Sequence, residues 1–241
     1  GSYNKIKDHL SRSSFAYHEF RNFDIDDFKL ASEELANKGY YVFRMGVTAN
    51  KPLVSDNPKV IDYVNSDMRS EFMDIYLGAK CSFCISTGYG FDMIPYIFNR
   101  PIGIMGLPVG DLRAHSERFL LLTKHHILKK EKRKLSLSEI FSHGVAFAYE
   151  TEVFEKNGIE LINYTPEEIK NFVIEMDENL KSKNELNHED ENLQKKFKNL
   201  FALNIKKTDY ESQAISQHKI HGQIRSRFSI KFLKENENWL R

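Results

Sequence analysis

The stretch CISTGYGFDMIPYIFNRPIGIMG, residues 84–106, decides the fold. With Cys81–Phe83 before it, its start completes CSFCIS, a short apolar run of the kind that forms a buried strand. Small residues follow, Ser86-Thr87-Gly88-Tyr89-Gly90, and then a segment that reads as a short helix. PIGIMGLP, residues 101–108, supplies a second buried strand. Strand, turn, helix, strand is the unit of a parallel sheet, because two parallel strands need a crossover between them.

The same alternation extends toward the N-terminus. DDFKLASEELANK, 26–38, carries Phe28, Ala31 and Leu35, with Leu30, on a helical face and is stopped by Gly39. YYVFRMG, 40–46, is a short strand, and Asp56-Asn57-Pro58 is a turn. KVIDYV, 59–64, suits either a short strand or a helical turn. MRSEFMDIYLGAK, 68–80, has helical spacing at Phe72, Ile75, Tyr76 and Ala79. The pattern predicts an α/β fold with a mostly parallel sheet and flanking helices.

Beyond it, FLLLTKHHILKKEKRKLSLSEIFSHG, 119–144, sets a basic run (129–134) between apolar patches. Ser136 or Ser138 can cap the following helix, and Glu139 completes a capping box from Ser136. Thr165-Pro166-Glu167-Glu168 is the clearest helix start: cap, proline, then acids at the positive end of the helix. Residues 181–196 are polar enough for a linker or the solvated part of a helix, and the tail reads as a final helix on the main body. We expect a main domain over 1–180 and, over 181–241, a polar linker with a C-terminal helical segment packed on it.

The 35 Lys and Arg nearly cancel the 34 Asp and Glu, which removes any bulk electrostatic case for nucleic acid. No run of 18 apolar residues reads as a spanning helix, and GSYNKIKDHLSR has no signal-peptide core. Gly1-Ser2 reads as the scar of a removed tag, so we expect a natural chain that begins earlier. Two cysteines do not make the framework of a small secreted domain, and a cytoplasmic location is expected.

In parallel sheets ligands bind at the carboxyl ends of strands. Arg44-Met45-Gly46 and Ser86-Thr87-Gly88 both stand there. Free N–H groups at a helix start attract phosphate, Ser86 and Thr87 add hydroxyls, and Gly88 and Gly90 permit close approach. Asp92 can bond a ribose or sugar hydroxyl. The rival reading is a plain turn in which Thr87 caps the helix and nothing binds. Arg44 can fork onto a diphosphate or pair with a carboxylate at the rim. Arg21 and Asn22 can meet a ligand, or Arg21 can answer Asp24, Asp26 or Asp27. Lys51 and Arg69 read as solvated surface cations. Cys81 and Cys84 read as buried thiols, since i and i+3 on a strand face opposite sides. His115, His125, His126 and His143 are scattered, and no zinc-ligand spacing is present. His18-Glu19, with Asp24 or Asp26, is a candidate acid–base group.

The ordered blocks HEFRN (18–22), GYYVFRMG (39–46), DYVNSDMRSEFMDIYLGAKCSFCISTGYGFDMIPYIFNRPI (62–102), LSLSEIF (135–141) and YTPEEI (164–169) resemble a family of bacterial glycosyltransferases of surface polysaccharide biosynthesis. The resemblance covers roughly residues 15–175, with an echo at Phe232 and Leu233. It implies a GT-B-like enzyme whose Rossmann-like donor-binding lobe is this chain, plus a helical C-terminal tail. It implies that Ser86, Thr87, Gly88, Gly90 and Asp92, together with Arg44 and Gly46, hold the donor diphosphate. Arg21 and Asn22 match the family's early arginine-asparagine pair, with Arg21 neutralising the leaving diphosphate. His18, Glu19 and Asp24 are the candidate catalytic residues. No metal and no cofactor beyond the nucleotide-sugar donor are expected. A second lobe or partner chain, a glycan or other acceptor and peripheral association with membrane synthesis machinery belong to the same expectation. Its rivals are a nucleotide-sugar hydrolase or epimerase, and a non-catalytic module of a polysaccharide-synthesis complex.

Overall fold

A computed structural model describes residues 20, 22–88, 90–111, 116–182, 185–207 and 224–241. The chain folds as mixed α/β. Helix α1 (Lys29–Asn37) is preceded by a 3-10 turn at Ile25–Phe28, for which Asp24 is the N-cap. Strands β1 (Val42–Phe43) and β2 (Val60–Ile61) pair in parallel. KVIDYV realises both of its readings, because β2 runs into a 3-10 turn at Tyr63–Asn65. Helix α2 (Glu71–Lys80), capped by Ser70, leads to β3 (Cys84–Ser86). A short α3 (Met93–Ile97) then leads to β4 (Ile102–Met105).

The central sheet is parallel throughout, in the order β3-β4-β5-β9, with β5 at Phe119–Leu122 and β9 at Arg227–Phe228. β4 and β5 are buried at every position, as strands covered on both faces must be. The continuous apolar runs PIGIM and FLLL have this cause. Helix α6 (Pro166–Lys181) packs against α1 and β4, and Phe172 fills the space that a side chain at Gly103 would need.

The expectation of a mostly parallel sheet needs correction beyond β5. There β6 (His125–Leu128), β7 (Arg133–Lys134) and β8 (Ile159–Ile162) form a separate antiparallel sheet in the order β7-β6-β8. The basic run 129–134 forms the tip of its hairpin (129–132) and the strand β7 itself. Helix α4 (Leu137–Ser142) begins with the expected capping box of Ser136 and Glu139; α6 begins at the expected Thr165 cap with Pro166 following, and Glu168 closes a second capping box there. Helix α5 (Thr151–Lys156) precedes β8. Helix α7 (His188–Lys207) begins inside the polar segment and packs against α4 and β9.

The tail is not purely helical. It contributes β9 before α8 (Ile230–Glu235) and a 3-10 turn at Glu237–Trp239. Phe228, Phe232 and Trp239 pack their rings together with Phe197 of α7, at centroid separations of 4.8–6.0 Å. A buried carboxylate secures this segment. Glu175 of α6 accepts from Ser229 Oγ at 2.6 Å, Ile230 N–H at 2.7 Å and Lys231 N–H at 3.3 Å, at the start of α8.

Helix α2 turns most of its apolar residues away from the core. Its spacing is helical, but Phe72, Ile75 and Tyr76 point outward and only Gly78 and Ala79 are buried. Among the described residues no helix is long and apolar enough to cross a membrane.

Replacing Glu175 by alanine leaves a buried hydroxyl and two amides without their acceptor. A cost of about 3 kcal/mol or more is expected from denaturant unfolding. A change below about 1 kcal/mol would show that the tail is held by its rings alone.

Candidate functional site

The carboxyl edge of β3, β4 and β5 is the candidate site. After β3, Thr87, Gly88 and residues 90–92 lead to α3, and two amides of this stretch are taken by local side chains. Gly88 N–H donates to Ser86 Oγ at 2.9 Å and Gly90 N–H donates to Asp92 Oδ1 at 3.1 Å. Asp92 is 2% exposed, so its carboxylate belongs to the interior of the turn. Thr87 does not cap α3: the N-cap is Asp92, and no side-chain bond closes that helix start. Gly88 adopts φ +85°, and a Cβ there would stand 2.6 Å from Leu107. Glycine is required at that position by conformation and by packing alike.

From Leu107 the edge continues to Gly106, where φ is +81° and a Cβ would collide with the Phe23 ring and approach Lys124 Cε at 3.7 Å. Lys124 is the residue that sequence reasoning missed. It lies two residues past the end of β5 and is 5% exposed. Its Nζ donates to the Asn22 carbonyl at 2.9 Å and stands 4.4 Å from the centre of the Phe23 ring. Among the described residues no carboxylate pairs with it. Burial lowers its pKa to about 8. The available signal was a lysine two residues after the fully apolar run FLLL. Asn22 is thus brought to the edge through its backbone, which Asn163 Nδ2 also reaches at 3.2 Å.

Arg44, Arg69 and Lys51, the predicted cations among the described residues, are committed locally. Arg44 Nη1 donates to Lys51 O at 2.6 Å and meets Asp62 Oδ1 at 3.3 Å, the pairing with a rim carboxylate. Asp62 in turn accepts from Leu53 N–H and Asn65 Nδ2, so the pair fastens the loop after β1. Gly46, at φ +152°, packs against Val64. Arg69 is not merely solvated: it donates to Gly46 O at 3.0 Å and to Asp74 Oδ2 at 2.9 Å. Lys51 is bonded to both Asp24 and Asp26. The Lys51 bond, with the Asp26 amide, lowers the Asp24 pKa and makes that carboxylate a weaker base. His18, Glu19, Arg21 and His115 lie outside the described residues.

Cys81 and Cys84 are free and half-buried, and burial raises the pKa of each thiol. Beside Lys124, His125 Nε2 donates to Glu168 Oε1 at 2.9 Å, which ties β6 to the capping box of α6. His126 Nδ1 donates to the Lys124 carbonyl at 2.9 Å and so fixes the backbone at the lysine. His143 follows α4 as its C-cap. Among the described residues no group of three His, Cys, Asp or Glu side chains is placed to hold a metal ion. A recess at the opposite, amino end of β5, lined by Glu117, Arg118, Met176 and Arg227, has room for about one water, roughly 10 Å³.

No protein family, curated protein or solved structure matches the chain. The site therefore stands on its own geometry. That geometry is a parallel-sheet edge with a self-closed turn on one side and a buried ammonium on the other.

Burial lowers the His126 pKa to about 4 from an ordinary 6.5. The unfolded chain takes up this proton near pH 6.5, whereas the folded chain refuses it until about pH 4. Stability is complete above pH 6.5 and falls through that window, by about 3 kcal/mol in all. Unfolding midpoints between pH 7 and 4.5 should drop in the parent and drop less in His126→Gln, where His125, also lowered by burial, still contributes. Parallel curves for the two proteins would exclude His126 as the cause.

Proposed function

We propose that the carboxyl edge of β3, β4 and β5 holds the diphosphate of a nucleotide-activated sugar, and that the chain serves glycosyl transfer to a surface glycan or related acceptor. The observation that carries this reading is Lys124, a buried ammonium with no carboxylate partner among the described residues at the end of a parallel strand. An uncompensated buried cation is costly, and an anionic ligand offsets that cost. Ligands of parallel sheets settle at this edge. The resemblance of the ordered sequence blocks supplies the substrate class.

The chemistry suits such a group. A sugar leaving a diphosphate builds negative charge on the leaving group, and a fixed cation in a water-poor setting stabilises it. In this reading Lys124 takes the charge-neutralising part and Thr87 offers a hydroxyl from across the edge. Ser86 and Asp92 keep the turn in shape by engaging the amides of Gly88 and Gly90, which are then not lent to the ligand. Arg44 supports the loop beside Asn22 and Asp24 through Asp62 and Lys51. Asp24, held by Lys51, is a poor base, so proton removal from an acceptor falls to another group.

The test is calorimetric titration of the full chain with UDP-, GDP- and CMP-sugars. Saturable binding is expected, and Lys124→Met should weaken it by about 10–100-fold with the fold intact by circular dichroism. Affinity should also decline as pH rises above about 8, since the ammonium then loses its proton. Absence of binding by every donor, or equal affinity in the variant, would refute the site. Donor turnover without an acceptor separates the rivals: free sugar and nucleotide indicate a hydrolase, an isomeric nucleotide sugar an epimerase. Binding with no turnover in the presence of glycan acceptors indicates a non-catalytic module.

A further inference from the structure

The outer side of α2 and α3 is apolar where solvent should be. Phe72, Ile75 and Tyr76 on α2 are 72, 50 and 46% exposed, and Met93, Ile97 and Phe98 at α3 are 41, 72 and 49% exposed. The two helices form one surface, since they pack together so closely that a Cβ on Gly78 would stand 2.7 Å from Ile94. Phe72 and Tyr76 are already stacked, with ring centroids 6.1 Å apart and planes inclined by 24°. β3, the strand between these helices in sequence, is an outer strand of its sheet.

We propose that this face is a self-complementary interface that joins two copies of the chain. Its six side chains leave on the order of 700 Å² open, above the roughly 300–600 Å² of the largest patch on an ordinary monomer. That is close to the ~800 Å² that each partner contributes to a stable interface. Charge decides against a lipid surface as the occupant. The exposed charges on and beside α2 are Asp67, Glu71 and Lys80, without the basic cluster that anionic lipid attracts. Arg69 is bonded to Gly46 and Asp74, and Arg100 to the Ala79 carbonyl, so neither belongs to such a cluster.

A two-fold axis through the face needs no surface beyond the one present, because an isologous contact sets the same patch against itself. An antiparallel crossing of α2 on its copy also sets acidic first turn (Glu71, Asp74) near basic last turn (Lys80) and opposes the helix dipoles. The stacked rings are preordered, which lowers the entropic cost of association.

Sedimentation velocity of the full chain across a concentration series tests this. A monomer–dimer equilibrium is expected, with Phe72→Asp and Ile97→Asp each weakening association by at least about tenfold. Both sites are exposed, so the variants should keep the parent's circular dichroism. Hydrogen exchange of the unaltered chain gives a second reading that requires no variant. Amides of residues 71–80 and 93–97 should become slower to exchange as concentration rises. A chain that stays monomeric throughout overturns the proposal. So does a dimer protected elsewhere, or an α2–α3 face already protected in the monomer by residues 1–19 of its own chain.

Discussion

Glu175 is the contact on which the far side of the molecule depends. A carboxylate in the interior is costly, and burial raises its pKa, yet here it accepts three hydrogen bonds from one short segment. Those bonds start α8 at a fixed place on α6. Because α6 also packs on α1 and β4, the C-terminal residues are referenced to the centre of the sheet. Gln194 of α7 completes the arrangement. Its side-chain amide donates to Phe228 O at 2.6 Å and accepts from Phe228 N–H at 3.1 Å, in the way a neighbouring strand would. β9 is only two residues long and would be a weak edge alone. A side chain that imitates a strand satisfies its outer backbone and blocks further pairing.

The parts of the fold legible in sequence are those with local causes. The β3–turn–α3–β4 unit follows from glycines between apolar runs, and the starts of α4 and α6 follow from capping boxes. The parts that escaped have causes distant in the chain or turns without a signature. β5 passes to β6 through Thr123-Lys124, with neither glycine nor proline, and Thr123 Oγ1 secures the bend by donating to Leu107 O. The hairpin between β6 and β7 places Lys132 at φ +51°, a conformation usually given to glycine or asparagine. Its basic sequence therefore looks like a solvated run. β9 pairs with residues about a hundred positions away, and nothing in RF announces that partner.

The candidate site divides along the same line. Arg44 stands directly after a strand and Lys51 and Arg69 on loops, as the sequence indicates, but each is paired with a carboxylate. With 35 basic against 34 acidic residues, a cation on a loop usually finds such a partner. Proximity to a strand end thus says little about a cation's freedom. Freedom depends on burial, and burial depends on what closes over the side chain. For Lys124 the cover includes Phe23 and the carbonyl of Asn22, both about a hundred residues earlier.

This changes the chemistry that the proposed site can use. A nest of free amides would grip a phosphate by directed hydrogen bonds and would depend little on pH. At this edge the amides of Gly88 and Gly90 are occupied, so recognition in the proposed site would rest on a compact ammonium instead. A lysine is a point charge with rotatable donors and does not impose the fixed fork of an arginine. Such a group neutralises developing charge well and orients it weakly. Orientation then has to come from the shape of the edge, where Gly88 meets Leu107 and Gly106 meets Phe23 without room for a side chain. Of the glycines that first suggested an anion-binding loop, Gly88 acts by removing bulk against Leu107, while Gly106, outside that loop, lets Phe23 close over the lysine.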